Sequence, residues 1–155
     1  MKMKVKIKKK PKINWDTLNV DRIFLAVAGD CAATIQQRIR GSKVTPALKQ
    51  KTIKYKKNFK TVPLMETKRL AKNIKSRYGS KKKTAEVYIR DSNYPTAKGH
   101  TVTTNEIAVI HTEGMGKNLP KRKFFYVEEN NLNKIWKLRV KQGIVGAMKR
   151  AGVIN

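Results

Sequence analysis

His111-Thr112-Glu113 sets an imidazole and a carboxylate two residues apart, which is half of the pattern used by zinc deaminases. The other half, a Cys-x-x-Cys pair, cannot exist in a chain whose one cysteine is Cys31. His100 and His111 lie in different segments, and neither has a second ligand at His-x-x-x-His spacing. Asp91, Glu106 and Glu113 are candidates for a magnesium-dependent nuclease, but nothing in their spacing requires one. Glu128-Glu129 would serve hydrolysis only as a pair in a shaped cleft. Placed just before a helical pattern, they are better explained as partners of the helix macrodipole. Gly114-x-Gly116 followed by Lys117 lacks the remaining glycines of a phosphate loop. No catalytic residue, metal or cofactor is expected, and the chain reads as non-enzymatic.

A different chemistry is written in the charge. The 155 residues hold 37 Lys plus Arg against 10 Asp plus Glu, a net charge of +27. Self-repulsion on that scale opposes compaction unless an acidic partner, nucleic acid or counterions screen it. Between Lys49 and Lys83 there are 14 Lys or Arg and one acid, Glu66. The candidate contacts with a polyanion or acidic partner are Lys2, Lys4, Lys6, Lys8, Lys9, Lys10, Lys56, Lys57, Lys81, Lys82 and Lys83. Lys121-Arg122-Lys123-Phe124-Phe125-Tyr126 interleaves cations with aromatics, as stacking platforms do. It lacks the glycine of the RRM strand signature, and no zinc-finger or zipper pattern is present. Adjacent aromatics on a strand alternate faces, so at least one of the three is expected in the core, and core or interface is favoured over base stacking.

The elements that must carry these residues follow from periodicity. Met1, Met3, Val5 and Ile7 alternate with Lys2, Lys4, Lys6 and Lys8, the period of a strand. That strand is either an edge guarded by lysines or a cationic arm over residues 1–12. Residues 13–155 are expected to form one α+β domain. Asp16 or Asn19 caps a helix running to about Arg40, with Val20, Phe24, Val27, Cys31, Ile35 and Ile39 on one stripe. Cys31 is thereby a small core residue and not a nucleophile. Thr45-Pro46 opens a short helix through about Tyr55, and 56–63 reads as a loop. Thr67 caps a helix carrying Leu70, Ile74 and Tyr78 at spacings of four, ending at Gly79. Residues 85–90 alternate as a strand, 91–105 read as a long exposed loop, 106–111 are open between strand and helical turn, and 123–127 read as a strand. Leu132, Ile135, Trp136, Val140, Ile144, Ala147, Met148 and Ala151 mark a final helix closed by Gly152, with Trp136 a candidate core residue. The longest apolar run, 23–28, is far too short to span a bilayer, and the lysine-rich start has no apolar stretch behind it. Synthesis in the cytoplasm and no membrane partner are expected.

Two segments taken together resemble a known family. Thr45-Pro46-Ala47-Leu48 through Lys51, then 63–74 with Leu64, Thr67 and Leu70, resembles the P-L-x-x-T-G-x-L-x-x-S-I stretch of phage tail-completion and virion-morphogenesis proteins of the Mu-like type. Residues 107–114, with Ile110, His111 and Gly114, then 119–125 with Pro120, Arg122 and Phe125, resemble that family's Y-A-x-I-H-x-x-G and I-P-x-R-P-F. The order of elements agrees over roughly 16–150. Lys68 stands where the family usually has glycine, and Phe124 where it has proline. The resemblance implies a small antiparallel sheet packed against a long N-terminal helix, the T-x-x-L helix and a C-terminal helix. It further implies a non-enzymatic structural protein, forming a homo-oligomeric ring, commonly a hexamer, at the head–tail neck or tail end of the virion. Neck, connector and tail proteins, and packaged DNA, would be its neighbours. In that setting His111 is expected to make a structural hydrogen bond. Composition alone supports another reading, a basic nucleic-acid-binding protein such as one associated with ribosomal RNA.

Overall fold

The computed structural model describes residues 18–41, 43–55, 64, 68–79, 84–95, 101–115 and 119–154. The expected lysine-flanked strand at 1–8, the cap Asp16, the loop 56–63, Thr67, Gly116 and the lysines at 2, 4, 6, 8, 9, 10, 56, 57, 81, 82 and 83 lie outside them.

The fold is α+β and is organised around helix α1, Val20–Arg40. Asn19 caps it, its Oδ1 accepting the Arg22 amide at 2.9 Å, and Asp21 complements the positive end of the helix. Val27, Cys31, Ile35 and Ile39 are buried as their spacing predicts, while Val20 is exposed. Burial of Cys31, and secondarily Asp30, push its thiol pKa up, away from the reactive thiolate.

Along one side of α1 lies an antiparallel hairpin, β1 (Ile74–Gly79) and β2 (Thr84–Ile89), in the register Ile74↔Ile89, Ser76↔Val87 and Tyr78↔Ala85. Gln36 donates to the Ile74 carbonyl at 2.9 Å near one end, and the Tyr78 hydroxyl donates to Asp21 at 2.5 Å near the other. Residues 74–79 were expected to continue a helix. A spacing of four satisfies a strand's period of two as well as a helical turn, so Ile74 and Tyr78 fit both. The strand wins because 84–89 supplies a full ladder and α1 covers the shared face. What remains of the T-x-x-L helix is one turn, α3 (Arg69–Lys72), which buries Leu70 and Ala71.

The short helix α2 occupies Gln50–Tyr55 and not the whole stretch from Thr45. Residues before it are held by tertiary contacts: Val44 is buried and the Pro46 carbonyl is taken by Arg122. The expected loop 91–105 contains a second hairpin, β3 (Asn93–Pro95) with β4 (Thr101–Thr103), and leads straight into helix α4, Thr104–Glu113. Thr103 and Glu106 form a reciprocal capping box, so 106–111 is helical. A knot of short polar side chains ties this corner to β1: Asn73 donates to Ser92 at 2.7 Å, and the Ser92 and Thr104 hydroxyls are 2.6 Å apart.

Helix α5, Glu129–Arg150, crosses the N-terminal half of α1. Arg139 forms a two-pronged ion pair with Asp30, both contacts at 2.6 Å. Gly143 permits the close approach, since a Cβ there would stand 2.5 Å from Ile23 Cδ1. Trp136 is a correction: it touches Phe24, ring centroids 5.4 Å apart, but is 40% exposed and is not a core residue.

Candidate functional site

Residues 119–128 run between α4 and α1 without regular secondary structure and without joining a sheet, in contrast to the expected strand at 123–127. Alternating burial of Arg122 and Phe124 suits a strand, but the main-chain acceptors are satisfied by a side chain instead. Arg38, buried on α1, donates to the carbonyls of Phe124 (3.3 Å) and Tyr126, and its guanidinium stacks 3.7 Å from the Tyr126 ring centroid. Glu128 stands 3.9 Å from the same guanidinium. Arginine alone among side chains offers a planar fork of several donors for such a clamp.

On its other side the segment is locked to α4 and to the residues before α2. The Arg122 amide donates to the His111 carbonyl at 2.8 Å, and Arg122 Nε donates to the Pro46 carbonyl at 3.1 Å. Gly114 closes α4 in the left-handed region (φ 69°), where its amide returns to Ile110. A Cβ at Gly114 would meet Lys121 Cγ at 2.7 Å and Lys121 N at 2.9 Å. Phe124, fully buried, completes a core with Ile39, Val44, Leu70, Ile74 and Ala108.

The expected motif residues therefore separate by environment. Leu70 and Arg122 are buried, Leu64, Ile110, His111, Gly114 and Pro120 are half-buried, and Phe125 is exposed. Ile110 supports the end of α4 through its carbonyl, which accepts Met115 N at 3.0 Å. The expected side-chain hydrogen bond of His111 is not seen at Nδ1, which is buried and has no partner among the described residues. This position is anchored by its carbonyl instead. Burial, and secondarily the charge of Arg122, push the His111 pKa from 6.5 down to about 4, so the ring is neutral at ordinary pH. Burial likewise lowers the pKa of Arg122.

The three carboxylates weighed as a nuclease set each have a local occupation. Asp91 accepts the Asn105 amide at 3.2 Å, Glu106 completes the capping box, and Glu113 lies 3.8 Å from Lys121 Nζ. No group of three His, Cys, Asp or Glu among the described residues is placed to hold a metal ion. No helix among them is long and apolar enough to cross a membrane.

Two features escaped the sequence reading. One is Arg38, whose only sequence signal is a cation on the same helical face as Ile35 and Ile39. The other is a surface around the segment: Val109, Met115, Phe125 and Tyr126 are exposed. Ile89, Ala108, Val109, Phe124 and Phe125 line a groove of about 280 Å³ beside them. On the outer face of the β1–β2 hairpin, Arg77 is paired with Glu86 at 2.9 Å and lies 4.9 Å from the Tyr88 ring centroid. Compared with known proteins, the chain matches no family model, no curated sequence and no solved structure.

Proposed function

We propose that this chain is a non-enzymatic structural protein of a tailed phage virion, which assembles into a ring at the head–tail neck or tail end. The observation that carries the reading is the backbone of Lys68, whose φ is 60°. That left-handed conformation is uncommon for a residue with a side chain and natural for glycine. It occurs at the position where the family pattern has glycine, so a glycine-type turn there supports the resemblance despite the substitution. The quoted segments also meet in space: Pro46, His111 and Arg122 are joined by direct hydrogen bonds.

In this reading the buried motif residues build the scaffold and the exposed ones around it make the ring. Val109, Met115, Phe125 and Tyr126 supply apolar surface of the kind that copies bury against one another. The cationic remainder faces acidic neighbouring proteins or packaged DNA, with host-cell cytoplasm as the place of synthesis. Sedimentation of the full chain at high salt, where charge repulsion is screened, tests the ring. A discrete closed species of about six copies is expected, with Val109→Asp giving a folded monomer. A chain that remains monomeric at every salt concentration contradicts the reading.

The charge excess of +27 favours one alternative, a basic nucleic-acid-binding protein. Such a protein would shift structured RNA as a monomer and lose it steeply as salt rises.

A further inference from the structure

Helix α5 uses one face against α1 and leaves another open. Trp136, Val140, Ile144 and Val145 line a groove of about 320 Å³ on it, and the polar part of that lining is Lys137 and Lys141. Trp136 is 40% exposed and Val145 36%, and Leu138, 51% exposed, lies on the same helix outside the groove lining. From residue 130 to residue 155 there are six cations and no acid. An apolar furrow flanked by two exposed lysines discriminates among occupants by charge.

A second copy of this chain would bring the same lysines face to face, a like-charge juxtaposition that opposes docking. Residues 1–12 of the chain itself carry seven lysines and no acid, so they are equally ill matched. An amphipathic helix with apolar residues at spacings of three and four and Asp or Glu beside them satisfies both halves of the lining. Its apolar ridge fills the furrow along Trp136, Val140 and Ile144, and its carboxylates meet Lys137 and Lys141. We propose that this face of α5 is a docking site for an acidic amphipathic helix of another protein. The inference stands apart from the ring reading, because the groove is on a different element from Val109 and Phe125 and uses no motif residue.

A fluorescein-labelled helical peptide with Leu at those spacings and Glu on its flanks serves as the probe. Its control has the same composition in scrambled order, which separates docking from attraction to a protein of high positive charge. Fluorescence anisotropy with the full chain is expected to show the ordered peptide binding at least tenfold more tightly than the scrambled one. Trp136→Ala and, separately, Val145→Ser should each remove most of that preference, and Lys137→Glu with Lys141→Glu should abolish it, while circular dichroism and melting temperature hold. Val145→Ser keeps the test valid if loss of the Phe24 contact unfolds Trp136→Ala. Equal affinity for ordered and scrambled peptides would overturn the proposal. So would binding confined to phosphatidylglycerol vesicles, with tryptophan fluorescence of a Trp15→Phe variant shifted there alone, or self-association abolished by Val145→Ser.

Discussion

The main-chain amide of Arg122 donates to the carbonyl of His111 at 2.8 Å, so the irregular segment 119–128 is pinned to the last turn of α4 just before Gly114 turns the chain. Everything at this corner depends on close backbone approach. Gly114→Ala would put a methyl group 2.7 Å from Lys121 Cγ, in a left-handed conformation that alanine resists. Strain of this kind costs about 1–3 kcal/mol. Urea unfolding should show a loss in that range with an unchanged m-value.

Arg38 holds the same segment from the α1 side. Arg38→Met keeps most of the volume but leaves the carbonyls of Phe124 and Tyr126 without their donor. A buried acceptor left unpaired costs about 1–3 kcal/mol. Arg38→Lys should recover only part of this, since one ammonium cannot reproduce the fork. Paired denaturation curves for the two variants check the order.

Helical spacing made α1 and α5 legible because each presents an apolar stripe long enough to repeat several times. The 74–79 strand was not, since Ile74 and Tyr78 satisfy two periods at once and only the pairing with 84–89 decides between them. Helix α4 carried a readable signal in Thr103-x-x-Glu106, the capping box, which the run of Thr and Asn before it obscured. Phe124 was placed among three aromatics of which at least one should be buried, and it is the buried one. Trp136 shows the opposite failure: a position on an apolar stripe is buried only as far as its neighbour extends, and α1 covers just part of α5. As for the site, Pro46, His111 and Arg122 fell in separate segments of the sequence reading, and the hydrogen bonds that join them, like the role of Arg38, arise from contacts between distant segments.

His111 is neutral in the folded protein because burial takes its pKa from 6.5 to about 4. The unfolded chain binds the proton more readily, so protonation favours unfolding. This contribution to stability is whole above pH 6.5, shrinks as pH falls from there, and is lost by about pH 4. His111→Gln should flatten that part of the profile relative to the unaltered protein, while shared losses from carboxylate protonation remain. Urea midpoints followed across the interval report the difference.

Lys68 occupies a backbone conformation suited to glycine, with φ of 60°. Lys68→Gly relieves a cost of about 1 kcal/mol and should raise the unfolding midpoint. Lys68→Val introduces a branched Cβ at the same φ and should lower it. If valine is tolerated as well as glycine, the left-handed turn is not what the chain adopts in solution.

The virion assignment is tested most directly by immunogold electron microscopy of tailed particles released from cells that produce this chain, using antibody against the purified protein. Gold clustered where head meets tail, or at the tail end, is the predicted result. Particles that carry no label and no trace of the polypeptide by mass spectrometry, while the chain stays behind with cellular RNA, would contradict it.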